Sequence, residues 1–194
     1  MHQIITIERQ FGSGGRQIGK MVAEQLNKKF YNDNLLHMAA EKLGISANSV
    51  EQFEEVTDSF FRNLAMLTDY AGEGSPGVKL FYAEREIIQK VAAFEECVIV
   101  GHCANNILAD KKNCLKVFIY ADEKFRQERA VREYGIAESQ VSSVLHKADK
   151  RRDAFYNFRS ETRWQDMAAY DVCLNSGVLG IETCVGVITH LAIQ

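Results

Sequence analysis

One stretch near the N-terminus constrains the fold more than any other: Ile4-Ile5-Thr6-Ile7-Glu8-Arg9-Gln10-Phe11-Gly12-Ser13-Gly14-Gly15-Arg16-Gln17-Ile18-Gly19. A β-branched apolar run gives way to three glycines within four positions. A helical period then starts with Ile18, Val22 and Leu26. Strand, glycine turn and helix in this order aim backbone N–H groups and the positive helix end at an anion, a phosphate above all. Glycine suits the turn because a Cβ would oppose the left-handed backbone and keep a phosphate off the main chain. An ordinary strand-to-helix connection is the competing reading of the same residues.

Register separates the nucleotide signatures. Gly14-x4-Gly19-Lys20 follows the Walker A spacing up to its last place, where Met21 replaces Ser or Thr. Lys20, however, falls past the first helical turn, so its ammonium points away from the loop. A loop that starts where the strand ends runs from Arg9 to Gly14. Gly15 then stands at the position of the phosphate lysine, and Arg16 and Gln17 stand where Ser or Thr would hold magnesium. A dinucleotide fingerprint fits less well. Asp33 lies about 20 residues beyond Gly12, but Gln17 replaces the third glycine that close helix–strand packing requires.

The 194 residues suit one domain with a full core. A net charge of −3 gives no general reason to expect nucleic acid or an anionic membrane as partner. No apolar run is long enough to span a bilayer, and the chain enters a strand at once rather than a signal peptide. Five cysteines, at 97, 103, 114, 173 and 184, form no CxxC pair and have no zinc spacing. They read as reduced thiols, and the expected location is the cytoplasm.

Further along, Lys29 to Asp33 reads as a short second strand, and Leu35 to Leu43 as a helix closed by Gly44. Ser46 to Tyr70 is helical in period. Ala71 to Gly77 is the most loop-like segment, and a helix follows from about Val78 to Phe94. Cys97-Val98-Ile99-Val100 and Leu115 to Tyr120 read as buried parallel strands. Asp122 caps a helix that ends at Gly135, and Asp171 to Asn175 is the last strand before a closing helix with Ile181, Val185 and Ile188. Strands separated by helices imply a parallel sheet covered on both faces.

Lys147, Lys150, Arg151, Arg152, Arg159 and Arg163 crowd one segment, offset by Asp149, Asp153 and Glu161. Such a run is often a solvated helix face. The interleaved Phe155, Tyr156, Phe158 and Trp164 make single-stranded nucleic acid conceivable. Arginines on a closing segment that neutralise a moving phosphoryl group agree better with the glycine loop.

The chain resembles the cytidylate-kinase-like branch of the P-loop nucleoside monophosphate kinases over nearly its whole length. Phe11 to Gly19 looks like that branch's altered P-loop. Val98-Ile99-Val100-Gly101-His102 is similar to its strand ending in Gly-Arg, with His102 for Arg. Arg152-Asp153 with Arg159 matches the lid pattern Arg-Asp-x-x-Asp-x-x-Arg, with Tyr156 at the second Asp. Asp171 to Gly177 resembles the final strand beside the adenine pocket.

The resemblance implies a three-layer α/β fold, a five-stranded parallel sheet of P-loop NTPase type. It adds a helical acceptor-binding insert at about 33–95 and a lid at about 147–165. It implies transfer of the γ-phosphoryl group of ATP, with Mg²⁺, to a nucleoside monophosphate, pyrimidines included. Gly12, Ser13, Gly14, Gly15, Arg16 and Gln17 would hold ATP; Arg152, Arg159 and Arg163 would act on the moving group. Asp33, His102, Asn105, Arg126, Arg129 and Tyr156 would surround the acceptor. The departures fall where chemistry and acceptor choice are decided. Two alternatives therefore stay open: a nucleotide-binding protein of the same fold without catalysis, and a small dinucleotide-dependent oxidoreductase. Metal ligands and oligomeric state do not follow from the sequence.

Overall fold

The computed structural model describes residues 2–44 and 76–194. The helical pattern at 46–70 and most of the loop that follows it lie outside the described residues. The chain divides into two compact units, Met1–Asn32 with Glu95–Gln194, and Asp33–Phe94.

The first unit is built on five parallel strands: β1 (Ile4–Arg9), β2 (Lys29–Tyr31), β3 (Cys97–Val100), β4 (Cys114–Tyr120) and β5 (Val172–Asn175). Their spatial order is β2-β3-β1-β4-β5. β1 is central and buried on both faces, with Ile4 to Glu8 all removed from water, Thr6 and Glu8 included. Ile4 lies opposite Cys97 on one side and Cys114 on the other. The five-stranded parallel α/β architecture expected from the sequence is the one observed.

Strand alternation decides what covers each face. Ile5 and Ile7 join Val98, Val117 and Ile119 beneath two helices, α1 (Gly15–Gln25) and the C-terminal helix Ile181–Ile193. Ile18 and Val22 come from the first, Val185 and Ile188 from the second. The opposite face carries an aromatic group of Phe118, Tyr156, Trp164 and Tyr170. Trp164 is fully buried and meets Phe118 edge-on, with ring centroids 5.6 Å apart.

In the second unit, α2 (Asn34–Lys42) packs on α3 (Pro76–Phe94), and Lys42 pairs with Glu86. The sequence reading placed Pro76 and Gly77 in a loop, but α3 starts at Pro76. Proline is at home in a first helical turn, where its missing N–H has no partner to lose.

The remaining helices belong to the first unit: α4 (Ala104–Ile107), α5 (Glu123–Tyr134), α6 (Glu138–Arg159), α7 (Ser176–Leu179) and α8 (Ile181–Ile193). Asp122 caps α5 by accepting the Phe125 N–H at 2.9 Å, and Gly135 ends it at φ 66°. The cationic segment up to Arg159 is the end of the unbroken helix α6, held by Val141, Leu145, Ala148 and Tyr156. Among the described residues, no helix is long and apolar enough to cross a membrane.

Candidate functional site

β1 leaves the sheet at Arg9, and the chain turns through Gly12 (φ 80°) and Gly14 (φ 81°) into α1. The Gly14 carbonyl accepts the Ile18 N–H at 2.9 Å, the first bond of the helix. N–H groups ahead of it in the first turn have no helical acceptor and mark the positive helix end. Ser13 shapes this loop from inside. Its hydroxyl donates to the carbonyls of Gln10 (2.8 Å) and Ile119 (3.2 Å). Ser176 in turn donates to the Ser13 carbonyl at 2.6 Å.

The glycines are required by the chain's own packing as well as by backbone angle. A Cβ on Gly12 would stand 2.7 Å from the Arg126 carbonyl oxygen. One on Gly14 would stand 2.5 Å from Ile181 Cδ1 and 3.2 Å from Arg129 Nε.

Arginines from β1, α5 and α6 gather on this loop. Arg126 donates to the Phe11 carbonyl at 3.2 Å and pairs with Asp149 at 2.5 Å. Arg129 is buried and donates to Gln17 Oε1 at 2.5 Å; its Nη1 is also buried and has no hydrogen-bond partner among the described residues. Arg152 donates to the Arg9 carbonyl at 2.9 Å and stands over the Phe11 ring, 5.6 Å from its centroid. Loss of hydration, and then the neighbouring Arg9 charge, pull the Arg152 guanidinium down to about 9 from its ordinary value. Beside the loop a cavity of about 520 Å³ is lined by Gln10, Arg126, His146, Asp149, Asp153 and Gln165 among others.

The other residues named from the sequence are placed differently. Arg16 is exposed on the first turn of α1, and Arg163 is exposed just before Trp164. Arg159 lies over the Phe155 ring, 3.6 Å from its centroid, and donates to the Phe155 carbonyl. Tyr156 and Asn105 meet inside the protein, 1% and 2% exposed, with Asn105 Nδ2 donating to Tyr156 Oη at 2.8 Å. Neither presents its polar end to solvent. Tyr156 and Trp164 being core residues, the aromatic series of this segment is not an open stacking platform. His102, half-buried, and Cys103 turn the chain after β3 with φ of 62° and 57°. Asp33 stands at the start of α2 in the second unit.

Two residues at the loop lie outside the set read from the sequence. Asp149 accepts the Phe11 N–H at 2.7 Å, and Arg9 runs along Gly15 and Gly101. The glycines opposite Arg9 were a signal for it. Asp149 had none, because it sits far along the chain on α6.

A parallel sheet in this order, with a glycine loop between its central strand and the next helix and arginines gathered on that loop, defines a P-loop kinase-type protein. The chain belongs to the cytidylate kinase-like family, whose profile matches residues 4–178. An uncharacterized protein from Eubacterium ventriosum is 28% identical with a TM-score of 0.74, each chain covered to 98%. Shikimate kinase from Bacteroides thetaiotaomicron is 17% identical with a TM-score of 0.54, again over 98% of each chain. Shikimate kinase from Aquifex aeolicus is 18% identical with a TM-score of 0.51, covering 98% of this chain and 95% of its own. These two shikimate kinases share the fold. No curated protein sequence matches the chain.

Proposed function

We propose that the protein transfers the γ-phosphoryl group of ATP to a nucleoside monophosphate, pyrimidine nucleotides among the acceptors. The gathering of Arg126, Arg129 and Arg152 on Phe11, Gln17 and Arg9, along the loop and its two ends, carries this reading. Phosphoryl transfer asks a protein for positioning and for positive charge around the moving group, and little else. The buried Nη1 of Arg129, without a partner beside Gly14, is a donor that a phosphate oxygen would satisfy. The acceptor phosphate forms the new O–P bond, and the bridging oxygen leaves with ADP.

Gly12 to Gln17 hold the triphosphate in this scheme, with Ser13 and Gln17 shaping the loop through their own bonds. Arg152 lies on the phosphates; Arg159 and Arg163, at and just beyond the end of α6, are assigned to the moving group. Tyr156 and Asn105 act as positioning residues that fix α6 to the turn after β3. Asp33 and His102 are each kept as candidates for binding the acceptor. Mg²⁺ keeps mostly water and phosphate oxygen as ligands. It would enter bound to the phosphates of the nucleotide. Described cysteines that are all free agree with a reducing, cytoplasmic setting.

The pairing of Asp149 with the Phe11 N–H and Arg126 favours a second reading, a nucleotide-binding protein of this fold without turnover. ADP release measured with ATP and CMP, dCMP, UMP, AMP or GMP separates the two. Turnover with one or more monophosphates supports the kinase. ATP binding with no turnover on any of them supports the binding protein.

A further inference from the structure

The P-loop lysine position is held by Gly15, and the structure gives a reason. A Cβ on Gly15 would lie 2.5 Å from Arg9 Cβ and 2.9 Å from Arg9 Cγ. The space a lysine stem would enter is already filled by the stem of Arg9, the last residue of β1. From there the arginine continues to the end of β3. A Cβ on Gly101 would run into Arg9 Nη1 and lie 3.0 Å from Arg9 Cζ, so the guanidinium packs against that glycine, whose φ is 84°. Two glycines, one on each side, make room for one arginine.

We propose that Arg9 supplies the phosphate-binding cation that helix α1 lacks, reaching the terminal phosphate of the nucleotide from the strand side. The inference rests on the reading of the loop as a nucleotide site. It assigns to β1 a role that P-loop proteins ordinarily give to the helix. The carboxyl ends of β1 and β3, where the guanidinium lies, are where open α/β sheets bind ligands.

Arg9 is not committed to a strong internal partner. Among the described residues its ion pair is with Glu8, at 3.9 Å, and the same Glu8 oxygen accepts the Trp164 indole N–H at 3.3 Å. The Arg9 side chain keeps 18% of its surface exposed. Arg152, bonded to the Arg9 carbonyl, brings a second positive charge close to the first. Like charges held this near repel one another, and an anion between them offsets the repulsion. Arg16, the sequence-based candidate for the lysine's charge, is exposed on the outer side of the first turn, and its neighbour Gly15 is the residue that touches Arg9.

The test compares wild type, Arg9→Gln, Arg9→Lys and the transfer variant Arg9→Gly, Gly15→Lys by calorimetric titration with Mg·ATP, Mg·ADP and AMP. Thermal melts monitor folding. Arg9→Gln is expected to weaken ATP at least tenfold and AMP hardly at all; Arg9→Lys should recover part of the loss. The transfer variant relieves the Cβ contact and returns a lysine to the helix, and it should bind ATP more tightly than Arg9→Gln. If Arg9→Gln does not fold, the same comparison on Glu8→Gln, Arg9→Gln removes the carboxylate left alone. A folded Arg9→Gln with wild-type ATP affinity overturns the role of Arg9 and leaves the nucleotide reading intact. A folded wild type that binds no ATP overturns both.

Discussion

The carboxylate of Asp149 accepts the backbone N–H of Phe11 at 2.7 Å, and its other oxygen lies 2.5 Å from Arg126 Nη1. A side chain on α6 thus takes up a loop N–H and an arginine that would equally suit a phosphate oxygen. Both partners are largely removed from water, 11% and 15% exposed, so breaking the pair leaves a charge poorly hydrated. Asp149→Ala should destabilise the free protein by about 2–3 kcal/mol, toward the low end for a buried pair because some exposure remains. ATP would then compensate the lone Arg126, and the rise in Tm on adding ATP should exceed that of wild type. Equal rises in both proteins would make Asp149 a purely structural partner.

Gly14 tests whether its side-chain space belongs to the ligand or to the protein. Gly14→Ala meets Ile181 Cδ1 at 2.5 Å and forces a non-glycine residue to φ 81°. Crowding and the left-handed backbone together should cost about 2–4 kcal/mol. Ile181→Val removes the offending Cδ1 atom. The double variant should recover the crowding part in urea unfolding and keep the backbone part. Full recovery in the double variant would show that the backbone angle relaxes freely. Loss of ATP affinity that persists after stability returns would place the ligand against this glycine as well.

Tyr156 occupies the place of the aspartate in the cytidylate kinase lid pattern, yet it is a core residue bonded to Asn105 and close to Thr162. Tyr156→Phe should cost about 1–3 kcal/mol, since Asn105 loses an acceptor in a buried site. The ratio of kcat/KM for CMP and UMP should not move. Tyr156→Asp, which restores the family residue, should cost more, because it buries a carboxylate where a phenol was. A folded Tyr156→Asp protein with raised CMP selectivity would instead put position 156 in contact with the acceptor.

Stability should fall in alkali. Burial, before any other cause, pushes the Cys97 thiol up to about 12 and the Cys114 thiol up to about 11. Unfolded thiols titrate near about 8.5. A group raised in the folded state contributes fully below its unfolded value and loses that contribution as pH climbs through the folded one. Arg152 acts in the opposite sense, because its folded value of about 9 lies below the ordinary one. From about pH 9 to 11 the retained thiol protons of Cys97 and Cys114 lower stability as pH rises, and Cys173 and Cys184, also raised by burial, act in the same direction. Urea midpoints at pH 8, 9 and 10 should decline. A flat or rising series would mean that the guanidinium outweighs the thiols.

The sheet was legible because parallel strands buried on both faces are written as short apolar runs, and Cys97 to Val100 and β4 are two of them. Helix ends were legible where local chemistry fixes them, as Asp122 and Gly135 do around α5. The start of α3 was misread because proline breaks a helix interior and begins a helix equally well, and the sequence alone does not say which.

The sequence by itself determined that a glycine turn joins a buried strand to a helix, and that arginines recur at 126, 129, 152 and 159. Which of them reach the turn depended on contacts between elements far apart in the chain. Arg129 and Arg152 are drawn to the loop by the packing of α5 and α6, whereas Arg159 is held on its own helix by Phe155. Tyr156 and Trp164 look like ligand-facing aromatics in a basic segment. They are core, because α6 and the chain after it pack on Phe118 of β4, and large apolar rings gain most by leaving water there. Only the tertiary structure showed that Gly15 and Gly101 are small for the sake of Arg9. A glycine records that space is needed, and what fills the space comes from another part of the fold.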